Sequence, residues 1–437
     1  MKTRPTPGQI SVLLLVAAAA VAIHGYHPFV EDGEIYVPGI KQLLNPALYP
    51  HNAEFFTSHA RLTLFPNLIA ASVRLTHLPL DWALLLWHIG SVFLLLLACW
   101  HIGRQVFVDS LAPWGGVALV GSLLTIPVAG TALYIMDQYL TPRSLSAPGV
   151  LFLLVNVMER KFWRAGLWTV FTAAIHPLMV VFGVTCAGLM IVTERRYRWL
   201  GFPRAAACLL PLSLFPPVTD AYREILESRP YFFVVRWAWY EWLGALGPLV
   251  LLWWFGRIAR RRKLVPLENL CRAVLWFGIF FLACALVLSI PGRLASLAEL
   301  QPMRSLHPLY ILLFVCGGGL LAQFLLQKHL VRWLLLLLPV CLGMYSAQRA
   351  LFPSTPHIEW PWAGPQNDWL KAFLWIRDNT PIDAYFALNP QHMRLKGEDQ
   401  HGFRAIAERS MLADAVKDSG AASMFPALAE TWRRQVR

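Results

Sequence analysis

Three carboxylates fall within four residues at Glu31-Asp32-Gly33-Glu34, just beyond an apolar run. The glycine leaves the chain free to turn, and such a cluster suits a general base or the ligation of a divalent cation. A solvated acidic turn would use the same residues. Asp137, in Met136-Asp137-Gln138-Tyr139, follows a later apolar run and reads either as a second functional carboxylate or as an interfacial cap for the helix that opens at Pro142. Arg304 lies in Gln301-Pro302-Met303-Arg304-Ser305-Leu306-His307, at the start of another run. Its planar guanidinium matches a phosphate bidentately, although an arginine at an interface also simply snorkels. His176-Pro177 reads as a hydrogen-bonded turn. The aromatic stretch Tyr231 to Trp242 reads as an interfacial belt, with Arg236 and Glu241 placed to face a cavity. No Walker, GxSxG, HExxH or CxxC pattern occurs.

What must position these groups is a membrane-embedded helical scaffold. Hydrophobic residues make up 57% of the chain, charged ones only 14%, and mean hydropathy is +0.50, which excludes a water-soluble fold. A spanning helix needs ~20 mostly apolar residues, and such stretches recur from Ile10 to about Gln348. The fold class predicted is an all-α polytopic membrane protein of about eleven transmembrane helices. Their expected positions are 10–26, 82–103, 112–136, 145–158, 165–176, 177–193, 205–216, 239–257, 269–290, 308–327 and 331–348. The first run is expected to stay as a span rather than be cleaved as a signal peptide, because the acidic loop after it offers no small-residue cleavage site. Leu62 to His77 is apolar but short and carries Arg74, so it reads as an amphipathic helix in the outer interface. All seven cysteines lie in apolar runs, which implies no disulfide framework.

The formal net charge of +13 is topogenic rather than a nucleic-acid footprint. With the N-terminus cytoplasmic, the inner segments hold seventeen Lys and Arg against nine in the outer loops before the tail. The positive-inside rule then puts the C-terminus outside the cytoplasmic membrane. The chain divides into a transmembrane domain, 1–348, with a first outer loop at 27–81, and a linker with a small extracytoplasmic α/β domain at 349–437. In that tail a helix at about 368–378, the breaker Asn379-Thr380-Pro381, a strand at Ala384–Leu388 and a polar helical stretch to Arg437 are expected.

An N-terminal span, an acidic residue at its outer end, an interfacial helix, two further spans and a second acidic residue make an order that resembles the GT-C superfamily of polyprenyl-phosphate-dependent glycosyltransferases. Protein O-mannosyltransferases, the aminoarabinose lipid A transferase and oligosaccharyltransferase subunits share it. The matching residues are Asp32 in Val30-Glu31-Asp32-Gly33-Glu34-Ile35-Tyr36, the following Leu44-Asn45-Pro46-Ala47-Leu48-Tyr49-Pro50, and Asp137. In the tail, Trp375-Ile376-Arg377-Asp378-Asn379-Thr380-Pro381-Ile382-Asp383-Ala384 resembles the start of the extracytoplasmic domain in bacterial members.

The resemblance implies sugar transfer from a polyprenyl-phosphate carrier to an acceptor at the outer face of the membrane. It implies Asp32 as base, with Glu31 and Glu34 in reserve, and Arg304 as phosphate clamp. Asp137 would orient the acceptor or, with Asp32, hold a divalent cation such as Mg or Mn. His307, Tyr36, Arg143 and Glu241 join Arg304 as candidate substrate contacts. The pattern departs from the family at Gln138, where a second acid is absent. That departure keeps a non-catalytic GT-C-like scaffold open as an alternative, beside a transporter of a lipid-linked solute.

Overall fold

The computed structural model describes residues 4–123, 134–194, 218–289, 297 and 300–437. Helix α1 (Pro7–His24) is followed by three loop helices, α2 (Gly33–Leu44), α3 (Glu54–Arg61) and α4 (Phe65–Thr76). Five apolar helices come next: α5 (Leu80–Val106), α6 (Ala112–Ser122), α7 (Pro142–Met158), α8 (Phe162–Ile175) and α9 (Pro177–Thr193). The short α10 (Asp220–Glu227) precedes α11 (Trp239–Arg261), α12 (Val265–Leu288), α13 (Leu306–Leu321) and α14 (Leu330–Leu351). The tail holds α15 (Asp368–Asn379), α16 (Phe403–Ala407), α17 (Asp418–Met424) and α18 (Ala429–Val436). Its strands β1 (Tyr385–Phe386) and β2 (Ser410–Met411) pair in parallel.

Among the described residues six segments are long and apolar enough to cross a membrane: α1, α5, α11, α12, Pro302–Leu326 around α13, and α14. Helices α7 and α9 are shorter apolar ones. Of the expected spans, 205–216 lies outside the described residues and 112–136 is described only through α6 and from residue 134. The other nine are helical over most of their described residues, the first ending at His24.

Local chemistry explains where the helices begin. Thr6 and Gln9 bond reciprocally at the start of α1, with Pro7 at its first position. At Pro177 the missing amide N–H separates α8 from α9. Outward leucines on α14, including Leu330, Leu335 and Leu342, stay exposed, as a face packed against lipid requires. Inside the bundle α6 and α13 touch backbone to backbone: a Cβ on Gly115 would lie 2.2 Å from the Gly318 carbonyl oxygen. Helix α4 is about 18 Å long at ~1.5 Å per residue, well short of the hydrocarbon thickness, and buries Phe65, Ile69 and Ala70 on one face.

The basic turns collect at one end of the bundle, where Gln105 bonds Glu159 at 2.6 Å and Arg160 pairs with Glu194 at 3.0 Å. The opposite end carries the first loop and the tail, fused through shared cores. In one, Val37, Ile40, Phe65 and Ile69 of α2 and α4 pack with Leu370, Phe373, Phe403 and Ile406 of the tail. In the other, Phe55 and the α10 residues Tyr222 and Ile225 pack with Ala421, Ala422 and Trp432. The expected strand shrinks to two residues, and its partner comes from the stretch read as polar helix. That stretch breaks into α16, β2, α17 and α18 because Arg404, Asp414 and Asp418 turn inward.

Arg404 fastens the two parts. Its guanidinium donates to both oxygens of Asp418 at 3.0 and 2.8 Å, while Glu34 accepts the backbone amides of Arg404 and Ala405, both at 3.0 Å. Removing one partner of a buried charge network typically costs about 3–5 kcal/mol. Arg404→Met should therefore release the tail, so that limited proteolysis in membranes cuts within 353–437 at least tenfold faster while the helices stay inserted. An unchanged cleavage rate would show that the apolar contacts alone hold the tail.

Candidate functional site

After α1 the chain turns at Gly25 (φ +85°), where a Cβ would lie 2.6 Å from the His357 carbonyl oxygen. The next residues are laced to two other segments. The His27 amide donates to the Gln138 carbonyl at 2.7 Å, the Gly402 amide to Phe29 at 2.8 Å, and the Glu31 amide to Gln400 at 3.2 Å. Glu31 (φ +51°) and Gln400 (φ +59°) both adopt the left-handed conformation, sparsely used outside glycine. That local geometry delivers Asp32 to the N-cap of α2.

Asp32 accepts a hydrogen bond from Lys417 Nζ at 3.0 Å, and the same ammonium contacts Glu31. Lys417 is buried, whereas the Asp32 and Glu31 side chains remain 31% and 33% exposed. The carboxylates are thus tethered from the protein side and open on the other. Burial by itself raises the Asp32 carboxyl, but Lys417, and behind it Arg143 and Arg304, more than offset this and hold it well below the usual carboxylate range.

Asp137 is gripped by Arg143, whose Nη2 and Nε donate to Oδ2 at 2.7 and 3.1 Å. Its other oxygen is buried without a hydrogen-bond partner among the described residues. Burial pushes the Asp137 carboxyl up to about 6 against the pull of Arg143, with the Asp32 charge adding to the rise. Arg304 donates from Nε to Gln301 Oε1 at 2.6 Å, and its charge reaches both Asp32 and Asp137.

Tyr36 stands within the fields of Asp32, Arg304, Arg143 and Lys417; burial, then Asp32, pushes its hydroxyl up to about 12. His59 meets Tyr36 edge-on at 6.4 Å and is kept neutral by burial, which lowers it to about 4. His307 is buried beside Arg143 and lines with Asp137 a small cavity of ≈20 Å³.

Asp32, Glu31, Asp137, Arg143, Arg304, Tyr36 and His307 are therefore neighbours. Glu34 and Glu241 are not among them. Both Glu34 oxygens accept tail amides, and burial pushes its carboxyl up to about 8. Glu241 caps α11, accepting the Ala238 amide at 2.7 Å. Sequence reasoning missed Lys417, which the chain brings 385 residues to reach Asp32; nothing in its polar surroundings sets it apart from surface lysines. His59 was missed too, since its helix carries no motif.

Lys417 takes one oxygen of Asp32, and Arg143 takes one oxygen of Asp137, so each carboxylate is already paired with a cation of the protein. Among the described residues no group of three His, Cys, Asp or Glu side chains could hold a metal ion. What the arrangement suits is an anion, with Arg304 and Lys417 near an accessible carboxylate.

No protein-family model and no curated protein matches the chain.

Lys417→Met checks the electrostatics. A carboxylate depressed in the folded state contributes stability that is present above its unfolded pKa of ~3.9 and is lost as pH falls through the folded value. Wild-type protein in detergent should accordingly lose thermal stability as pH drops below about 4. Without Lys417 the Asp32 carboxyl rises, and that acid-side loss should shrink. Parallel pH profiles for the two proteins would mean that Lys417 does not set the charge of Asp32.

Proposed function

We propose that this protein transfers a sugar from a polyprenyl-phosphate carrier to an acceptor at the outer face of the cytoplasmic membrane. The observation that carries the reading is an ionised, partly open carboxylate, Asp32, set among Lys417, Arg143 and Arg304 at one end of an apolar helix bundle. An anionic lipid needs both halves of that arrangement: cations for the phosphate, and a bilayer-embedded scaffold for the isoprenoid tail. The excess of Lys and Arg at the opposite end supports the outward orientation of this site and of the tail.

In the proposed step the acceptor oxygen attacks the anomeric carbon and the bond from that carbon to the phosphate oxygen breaks. The electron pair leaves with the phosphate, which Arg304 stabilises. The acceptor's proton passes to Asp32. A carboxylate held so low is a weak base in the empty site, but an arriving phosphate offsets the field of Lys417 and the arginines, and the proton affinity of Asp32 rises as the donor binds. The unpartnered oxygen of Asp137 supplies an acceptor for a substrate hydroxyl.

One observation favours a second reading, a non-catalytic scaffold: Asp32 is also a salt-bridge partner of the tail. Mutation separates the two. Asp32→Asn removes the proton acceptor and should lower transfer ~10²–10⁴-fold with insertion intact. Arg304→Lys keeps the charge but loses the planar fork and should act mainly through donor KM. Transfer that survives Asp32→Asn while the tail loosens would favour the scaffold.

The charge of Asp137 should also be visible. Because its carboxyl titrates near pH 6, kcat/KM should fall as pH drops through that value. The residual activity of Asp137→Asn should lack this acid limb, and a limb of unchanged midpoint would assign it to another group.

A further inference from the structure

A cavity of ≈150 Å³ lies between the first loop, the linker 353–367 and helix α15, separate from the Asp32 cluster. Its volume holds about ten water-sized positions, comparable to the dozen or so heavy atoms of a single hexose. The wall includes Tyr26, Phe29 and Trp360 beside the carboxylates of Asp81 and Glu359 and the cations Lys41 and Arg377.

Most of the charges are already engaged. Lys41 pairs with Glu408 at 2.7 Å and lies over the Phe29 ring, and Arg377 pairs with Asp378 at 2.9 Å. Glu359 is held by His27 at 2.6 Å and His401 at 3.1 Å. Two groups remain. Asp81 has no hydrogen-bond or ion-pair partner among the described residues, and the Tyr26 hydroxyl is buried and unpartnered, within the fields of Asp81 and Glu359. Burying the Tyr26 hydroxyl without a partner is costly, and with the half-buried Asp81 carboxylate beside it the lining suits a ligand rich in hydroxyl groups.

The third feature is a rigid aromatic platform. Trp360 stacks on Trp362 at 4.8 Å and 15°, and Trp362 stacks on Trp82 at 5.3 Å and 29°. The stack fixes the indole of Trp360 while leaving it 40% exposed at the cavity. A flat apolar face next to a free carboxylate and a phenol matches the two sides of a pyranose: its C–H face stacks, and its rim hydroxyls donate. Equal numbers of acidic and basic side chains in the wall disfavour a charged ligand, and their polarity disfavours an acyl chain.

We propose that this cavity binds a neutral sugar ring, stacked on Trp360 and hydrogen-bonded to Asp81 and Tyr26. Phe29 in its wall is three residues from Asp32, a backbone reach of about 10 Å. Under the transferase reading, on which only this assignment rests, the ring is the acceptor unit next to the one that receives the transferred sugar.

Saturation-transfer NMR on the full chain in phospholipid nanodiscs tests the proposal without any donor, so failure of transfer does not enter the result. The probes are mannose, N-acetylglucosamine and cellobiose, with glucose 6-phosphate and phosphocholine as charged controls. At least one neutral probe should receive saturation on its ring protons, at least tenfold weaker in affinity for Trp360→Ala, at least fivefold weaker for Asp81→Asn, and retained in Trp360→Phe. Three outcomes would overturn the proposal: no transfer to any neutral probe, the same affinity in Trp360→Ala, or preferential saturation of phosphocholine. The last would make the tryptophan stack an interfacial lipid anchor.

Discussion

The end of the bundle that carries the first loop and the tail depends on the buried network of Arg404 with Asp418 and Glu34. Neither the first loop nor the tail has enough apolar surface to close a core alone, so Val37, Ile40 and Phe65 share one with Phe373, Phe403 and Ile406. Apolar packing of this kind tolerates sliding; a guanidinium forked on one carboxylate, with a second carboxylate on the adjacent amides, does not. By fixing the register of 403–418 on α2, the network sets where Lys417 falls. One residue of slip would carry that ammonium away from Asp32.

The electrostatics of the site follow from that register. Glu31, Asp32 and Asp137 bring three negative charges to a poorly solvated place, and Lys417, Arg143 and Arg304 bring three positive ones. The two sets are not paired evenly. Arg143 is committed to Asp137 through two bonds, while Lys417 is shared between Glu31 and Asp32. Arg304 touches no carboxylate among the described contacts and bonds instead to the neutral Gln301. It is consequently the cation whose charge is least spent and the one best placed to meet an incoming anion.

The membrane scaffold was legible in the sequence because its cause is local: a run of apolar residues of sufficient length is helical wherever it lies. Asp32, Asp137 and Arg304 were legible for a related reason, since ionisable groups beside hydrocarbon are costly and therefore informative. The tail resisted. Its polar residues are spaced like those of a solvated helix, and only tertiary contact shows that Arg404, Asp414 and Asp418 are interior. Glu34 was misjudged for the same reason, because nothing in Glu31-Asp32-Gly33-Glu34 tells which acid faces the tail amides and which face solvent. Glu31 and Asp32, which precede α2, stay about one-third exposed, whereas Glu34 in its first turn points into the tail.

The end of the bundle that carries the first loop and the tail brings buried charge, left-handed residues and unpaired polar atoms into the segments that meet around Asp32. Each of these costs stability. A fold selected only to cap a helix bundle would replace Arg404 and its acids, or Asp137 and Arg143, with apolar residues of similar volume at little loss. Retaining them makes sense when the site must present fixed charges to something that arrives already charged, because groups oriented in advance need no reorganisation when it binds. The same reasoning separates the two ends of the bundle. At the basic end a pair such as Arg160 with Glu194 is exposed and costs little. Near Asp32 the pairs of Arg143 with Asp137 and of Arg404 with Asp418 are buried, so each depends on its partner to offset the cost of desolvation.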